Sequence, residues 1–239
     1  MPLSEALGHA KVLLEALSRG EYCCLRHGLP YVTPSLLSEQ VFCEAKLDMR
    51  LSRGDPVEAK PRRELRMLLE ALLGARRLLR DTGGRYTLST PLAAVVEGLP
   101  LVGRPAVLGV EGDCVSVVYM LRGRRGKLYP TEVVKGYAYG AMLEELGASC
   151  GSLRIAYVAA ENPSQLRKAI ESLEDPLEPA SLAGEGFEVR VRIYNPPEAR
   201  STIAHLAAYW TGRRPPRPRP GPWCTRCPYR GFCPATSLE

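Results

Sequence analysis

Three cysteines, Cys224, Cys227 and Cys233, fall within the stretch WCTRCPYRGFC near the C-terminus. The Cys-x2-Cys-x5-Cys spacing brings three soft thiol donors within reach of one metal centre, and a closed site needs a fourth ligand. Cys43, in VFCEAK, is one upstream candidate, and the adjacent Cys23 and Cys24 are others. The three histidines, His9, His27 and His205, are not spaced to join the cysteines. Zinc sites usually arrive as two ligand pairs on short loops, whereas four thiolates gathered from uneven, distant positions suit a [4Fe–4S] cube. The expected cofactor is therefore an iron–sulfur cluster, with zinc as the alternative. An upstream fourth ligand would staple the tail to the first third of the chain. Trp223, Pro228 and Pro234 make that tail stiff and aromatic, as docking would require.

The remaining cysteines lack ligand spacing. Cys23, Cys24, Cys114 and Cys150 are expected to be structural, with Cys114 a small buried apolar residue of a strand. The first seventeen residues, MPLSEALGHAKVLLEAL, contain no apolar signal core, so the expected location is cytoplasmic, where disulfide frameworks are uncommon. No apolar run approaches the roughly 20 residues that a membrane span needs.

The 32 basic and 26 acidic residues leave a net charge of +6, and arginine dominates. The excess is concentrated in RLSR, KPRREL, GARRLLR, LRGRRGK and GRRPPRPRP. Planar guanidinium groups clustered in this way suit phosphate recognition, so nucleic acid is the expected partner. Arginine also coats thermostable surfaces, which is the simpler explanation of the same counts.

Periodicity places these groups on elements. Residues 4–19 read as an amphipathic helix. Thr33-Pro34-Ser35 opens a second, which should run through Phe42-Cys43 to about Leu51. Residues 52–56 form a turn, and 61–80 a long helix with leucines on one side and Arg62, Arg63, Arg66, Arg76, Arg77 and Arg80 on the other. Strands are expected over 85–88, 93–97, 100–110 and 115–121. A helix over 130–146, a strand over 153–159, a helix from 162 to about 173, a strand over 187–194 and a helix from 195 to 211 follow. The proline-rich stretch 213–222 is extended and delivers the tail. Helices followed by a strand meander and then alternating elements imply an α/β, mixed α+β fold. Three regions follow: a helical 1–82, a core over 83–212 and a tail over 213–239.

TPSLLSEQVFCEAKLDMR resembles the entry helix of the iron–sulfur RecB-like exonucleases of CRISPR systems, the fourth Cas family. Residues 189–194, 195–212 and 215–233 resemble that family's final strand, helix, proline linker and cysteine tail. The resemblance selects Cys43 as the fourth cluster ligand. It implies a restriction-endonuclease-like PD-(D/E)XK core, Mg²⁺ or Mn²⁺ at the active site, and trimming of single-stranded DNA ends during CRISPR adaptation.

The family's acidic motif is altered in this chain. Ala106 follows Gly103-Arg104-Pro105 where the motif Asp belongs, and Val118-Tyr119-Met120 stands for Glu-x-Lys. Leu65 stands where the family has His, and Lys135 replaces Gln, while Tyr139 is retained. Without converging carboxylates a Mg²⁺ has few direct ligands. The expectation is thus a nuclease fold without nuclease chemistry, with Ala106, Val118, Met120 and Lys135 as its degenerate positions. It would bind single-stranded DNA as a subunit beside CRISPR adaptation proteins or a related nuclease. Arg62, Arg63, Arg66, Arg122, Arg124, Arg125, Lys127 and Lys135 would meet phosphates. The alternatives are an active exonuclease with ligands moved to Glu111, Asp113 or Glu132, and a structural protein whose basic face binds RNA or an acidic protein.

Overall fold

The computed structural model describes residues 1–22, 25–53, 61–78, 85–171, 181–233 and 235; the side chains of 61–64, 74–78, 85 and 163 fall outside that description. Cys23 and Cys24, the turn beyond Arg53, and the arginine side chains at 62, 63, 76, 77 and 80 therefore lie outside the described residues.

Helix α1 (Leu3–Arg19) buries Leu3, Ala6, Leu7, Ala10, Leu14 and Leu17 on one stripe and ends at Gly20 in the left-handed region, φ 78°. The segment before the next helix is tied down by Val32 N–H to the Pro100 carbonyl (2.9 Å) and by Val102 N–H to the Val32 carbonyl (3.1 Å). Thr33 then caps α2 (Pro34–Phe42), its hydroxyl accepting from Leu36 N–H at 3.2 Å. The helix expected to continue to Leu51 breaks at Cys43, which is extended at φ −167°, ψ 110°, and restarts as α3 (Glu44–Ser52). Two backbone bonds bracket the break. Cys43 N–H closes on the Glu39 carbonyl and the Cys43 carbonyl accepts from Leu47 N–H. Helix α4 (Pro61–Leu78) buries Leu65 and Leu72.

Next come β1 (Arg85–Leu88), β2 (Leu92–Val96), β3 (Leu99–Gly103), β4 (Val107–Glu111), β5 (Cys114–Arg122), α5 (Pro130–Glu145), β6 (Ser149–Ala160), α6 (Pro163–Glu171), β7 (Ser181–Gly184), β8 (Phe187–Ile193) and α7 (Pro196–Trp210). Six strands form one mixed sheet in the order β1-β4-β5-β6-β8-β7, and β2 pairs with β3 as a separate hairpin. The β5–β6 pair is parallel, with α5 as its crossover. The single strand expected over 100–110 is two strands in two sheets. Pro105 has no N–H for a ladder, and Gly103 packs so tightly on Pro34 that an added Cβ would lie 2.7 Å from its ring. Strand β7 was not expected. Its SLAG sequence carries no β-branched residue, and pairing with β8 alone makes it a strand.

The sheet has two occupied faces. Val118 and Met120 join the large cluster with α1, α5 and α7, while Val117 and Tyr119 join a smaller cluster with Leu166, Ala169 and Ile170 of α6. Close approach of α5 to β8's end depends on a missing side chain, since a Cβ at Gly140 would come 2.4 Å from the Tyr194 ring. Gly140→Ala should therefore destabilise the protein by about 1–3 kcal/mol through overpacking, read as a lower midpoint in thermal unfolding.

Cys114 and Cys150 are joined by a disulfide between the first residues of β5 and the start of β6. This corrects the reading of both as structural cysteines outside any disulfide, and of Cys114 as a buried apolar residue, since it is only half-buried. Two lone cysteines 36 positions apart give no spacing signal, and only the parallel register of β5 and β6 brings them together. Among the described residues, no helix is long and apolar enough to cross a membrane.

Candidate metal centre

Residues around Cys43 grip the end of the chain. Glu44, buried at 6% exposure, receives both Nη atoms of Arg214 at 2.5 Å and the Arg217 backbone N–H at 2.9 Å. Gln40 Nε2 donates to Glu44 Oε1 (2.7 Å) and to the Leu206 carbonyl (3.1 Å), while Gln40 Oε1 accepts from the Trp210 indole N–H (2.7 Å). Arg219 donates to the Val41 carbonyl at 2.9 Å, and the Phe42 and Trp223 rings meet at 5.5 Å between centroids. The residues at 40, 41, 42 and 44 thus all bind α7 or the segment after it. Arg26 adds a further tie, donating to the Tyr209 carbonyl (3.0 Å) and the Arg214 carbonyl (2.9 Å).

Burial pushes the Glu44 carboxyl up, but Arg214, Gln40 and the Arg217 N–H outweigh it, and its pKa lies below the ordinary value. The same contact raises Arg214. A paired, fully donated carboxylate of this kind organises a segment rather than performing chemistry.

The grip delivers the cysteines. Cys43, Cys224, Cys227 and Cys233 line one cavity of about 170 Å³, together with Phe42, Trp223, Lys46, Arg226 and Arg230. Two short 3₁₀ turns, Pro222–Arg226 and Arg230–Phe232, fold the tail around it, and Gly221 lets the indole of Trp223 fold back, since a Cβ there would sit 2.4 Å from the ring. The lining holds three cationic side chains and no carboxylate. Four thiolates on an iron–sulfur core would be anionic, so the donor set and the surrounding charge both fit that group. The positive end of α3 at Cys43 adds to the same field. Among the described residues no group of three or more His, Cys, Asp or Glu side chains is placed closely enough to hold a metal ion.

The expected nuclease positions sit at one end of β4 and β5. Ala106 directly precedes the Val107–Tyr119 pair. Val118 is fully buried and Met120 nearly so, both in the large apolar cluster. Tyr139 reaches the same neighbourhood, its hydroxyl 3.0 Å from where a Gly103 Cβ would lie, and burial pushes that hydroxyl's pKa up. Lys135 is half-buried on α5. The carboxylates offered as relocated ligands do not meet. Glu111 and Asp113 flank the turn at the Cys114 end of β5, and Glu132 lies at the Arg122 end, about 25 Å away along a nine-residue strand. Glu132 is moreover spent on the first turn of α5 and on Arg122.

Of the expected phosphate contacts, Arg124, Arg125 and Lys127 are exposed on the loop after β5, and Arg66 is exposed on α4 with Glu70 at 3.3 Å. Arg125 pairs with Glu161 at 2.7 Å. Arg122 is a correction. Its side chain is 1% exposed and donates to Glu132 and to the Gly126 and Lys127 carbonyls. It anchors the loop that carries the other three. Glu188 anchors the same loop through the Gly126 N–H at 2.7 Å. Sequence reasoning missed Gln40, Glu44 and Arg214 as the residues that hold the tail. The signal available was a lone Glu and Gln at helical spacing, which ordinarily marks a solvated face.

No family model and no curated protein matches the chain. Among solved structures, one similar chain is described as "Crystal structure of SSO0001"; it is 16% identical, the match covers 95% of this chain and 97% of that one, and the TM-score is 0.38.

Proposed function

We propose that this protein is an iron–sulfur, single-stranded-DNA-binding member of the RecB-like nuclease group, acting as a non-cutting subunit in CRISPR adaptation or related DNA processing. The observation that carries the reading is the gathering of Cys43 with Cys224, Cys227 and Cys233 around one cation-lined cavity. Bound there, a [4Fe–4S] cluster would supply a covalent cross-link between the α2–α3 break and the tail. The chain's own residues already hold that geometry through Glu44, Gln40 and Arg214. Phosphate binding is assigned to Arg124, Arg125 and Lys127 on the anchored loop, with Arg66 and Lys135 as further contacts. The non-cutting reading is supported by buried apolar side chains, Val118 and Met120, in the places where a metal would need a carboxylate and a lysine.

Anaerobically purified protein should be brown and hold about four iron atoms per chain. Cys43→Ala should lose that iron and Cys23→Ala should keep it. Stoichiometric zinc with no iron would sink the cluster assignment. DNA affinity measured by fluorescence anisotropy should fall steeply with salt, and labelled DNA should stay intact with Mn²⁺. Salt-independent binding, or cleavage that survives removal of the cluster cysteines, would each reject part of the reading.

A further inference from the structure

The tail that carries three of the cysteines has a second property. Between Arg213 and Cys233 the chain contains six arginines and no acidic residue. Arg213, Arg217, Arg219 and Arg226 are exposed; Arg213 sits in the bend after α7, and Arg217 and Arg219 lie in the irregular proline-rich stretch that follows. Partly exposed aromatic rings stand among these cations. Trp223 is 40% exposed, Phe42 37% and Phe232 67%. The guanidinium of Arg53 lies 4.0 Å from the Phe232 ring centroid and 5.6 Å from that of Tyr229, while the Lys46 ammonium lies 5.4 Å from that of Phe42.

A single exposed ring is ordinary, but Trp223, Phe42 and Phe232 are exposed together among cations, whereas the other Trp of the chain, Trp210, is fully buried. A protein partner suited to this surface would have to be strongly acidic and also cover several rings. A single strand of DNA meets both demands with one repeating unit, because each nucleotide carries one phosphate and one stacking face. We propose that the tail surface formed by Trp223, Phe232 and the arginines at 213, 217, 219 and 226 is a stacking platform for single-stranded DNA, separate from the loop at Arg124–Lys127. This rests on the DNA-binding reading above. The loop grips backbone, and the platform reads the presence of unpaired bases.

The test uses full-length, cluster-replete protein and three labelled 20-mers: oligo-dT, a backbone of abasic residues, and oligo-U. Wild type should bind oligo-dT more tightly than the abasic strand. Phe232→Ala should weaken oligo-dT binding about 10-fold, leave abasic binding unchanged and leave the salt slope unchanged. Phe232→Leu, which keeps the apolar bulk, should behave the same way, with iron content as the check that the tail is still docked. Arg226→Gln should weaken both strands and reduce the salt slope by about one. An Arg124→Gln/Arg125→Gln variant separates the two claims. If it weakens binding while Phe232→Ala and Phe232→Leu do not, the platform is overturned and the proposed function stands. If the Phe232 variants weaken dT and abasic strands equally, the ring acts through the fold and the platform is again overturned. Tighter binding of oligo-U than of oligo-dT overturns the assignment to DNA, and no binding of any strand removes both readings.

Discussion

Glu44→Ala should lower the melting temperature by about 10 °C and release the tail, and with it the proposed cluster. The carboxylate is 7% exposed at its side chain and its partner Arg214 is 12% exposed, so removing one leaves the other charged and poorly hydrated. Breaking a buried pair in this way costs about 3–5 kcal/mol. In a chain of this size each kcal/mol shifts the midpoint by about 2–4 °C. The loss should exceed that of an ordinary helix-surface substitution because Gln40 and the Arg217 N–H lose an acceptor at the same time. A Glu44→Leu/Arg214→Leu double variant should recover at least half of the stability, since an apolar pair leaves no stranded charge. Equal destabilisation by the single and double variants would show that packing, not charge, is at issue. The pH dependence has a definite sign. Glu44 has a folded pKa below its unfolded value, so its contribution is complete above the ordinary glutamate pKa of about 4.3 and fades as pH falls through the lower folded value. Acid unfolding of wild type should steepen below about pH 4.3, and Glu44→Gln should flatten that limb.

The same residues show what sequence carries and what it withholds. Helices and strands whose burial follows a simple period were legible: α1 from its leucines, α2 from Thr33 and Pro34, α5 and α7 from their early prolines. Spacing singled out the three tail cysteines and a resemblance added Cys43; the fold places all four on one cavity. What was not legible depends on long-range register. Cys43 reads as mid-helix, yet the backbone breaks there, and nothing local in VFCEAK signals an extended residue. The Pro100–Val110 run looks continuous because apolar residues dominate both of its ends, but Pro105 and the packing of Gly103 on Pro34 divide it between two sheets. Arg122 looks like its basic neighbours in LRGRRGK, and only its pairing with Ala159 of β6 and the approach of α5 bury it next to Glu132. A charge count treats the four cations of that loop alike, whereas the fold makes one of them an anchor.

The Cys114–Cys150 disulfide should contribute about 4 kcal/mol, a second large effect and one independent of the cluster. The bond closes a loop with a sequence separation of 36 that contains α5 and the loop carrying Arg124 and Lys127. Native contacts at this corner persist without it. Val115 N–H donates to the Ala148 carbonyl at 2.7 Å, and Leu3 N–H to the Asp113 carbonyl at 2.9 Å. The stabilisation therefore acts mainly on the unfolded chain, whose freedom the cross-link restricts. A Cys114→Ala/Cys150→Ala variant should melt about 10 °C lower than wild type while leaving the proposed cluster and the proposed DNA binding unaffected. Reductant should lower the wild-type midpoint by a similar amount and leave that variant's midpoint unchanged. Thiol titration under the same conditions should find two additional cysteines exposed to reaction in reduced wild type. An unchanged midpoint after full reduction would show that β5 and β6 are held at this end by backbone pairing alone. A lower midpoint accompanied by loss of iron would instead couple this corner to the tail clamp, which the separate hydrogen-bond networks around Ala148 and Glu44 argue against.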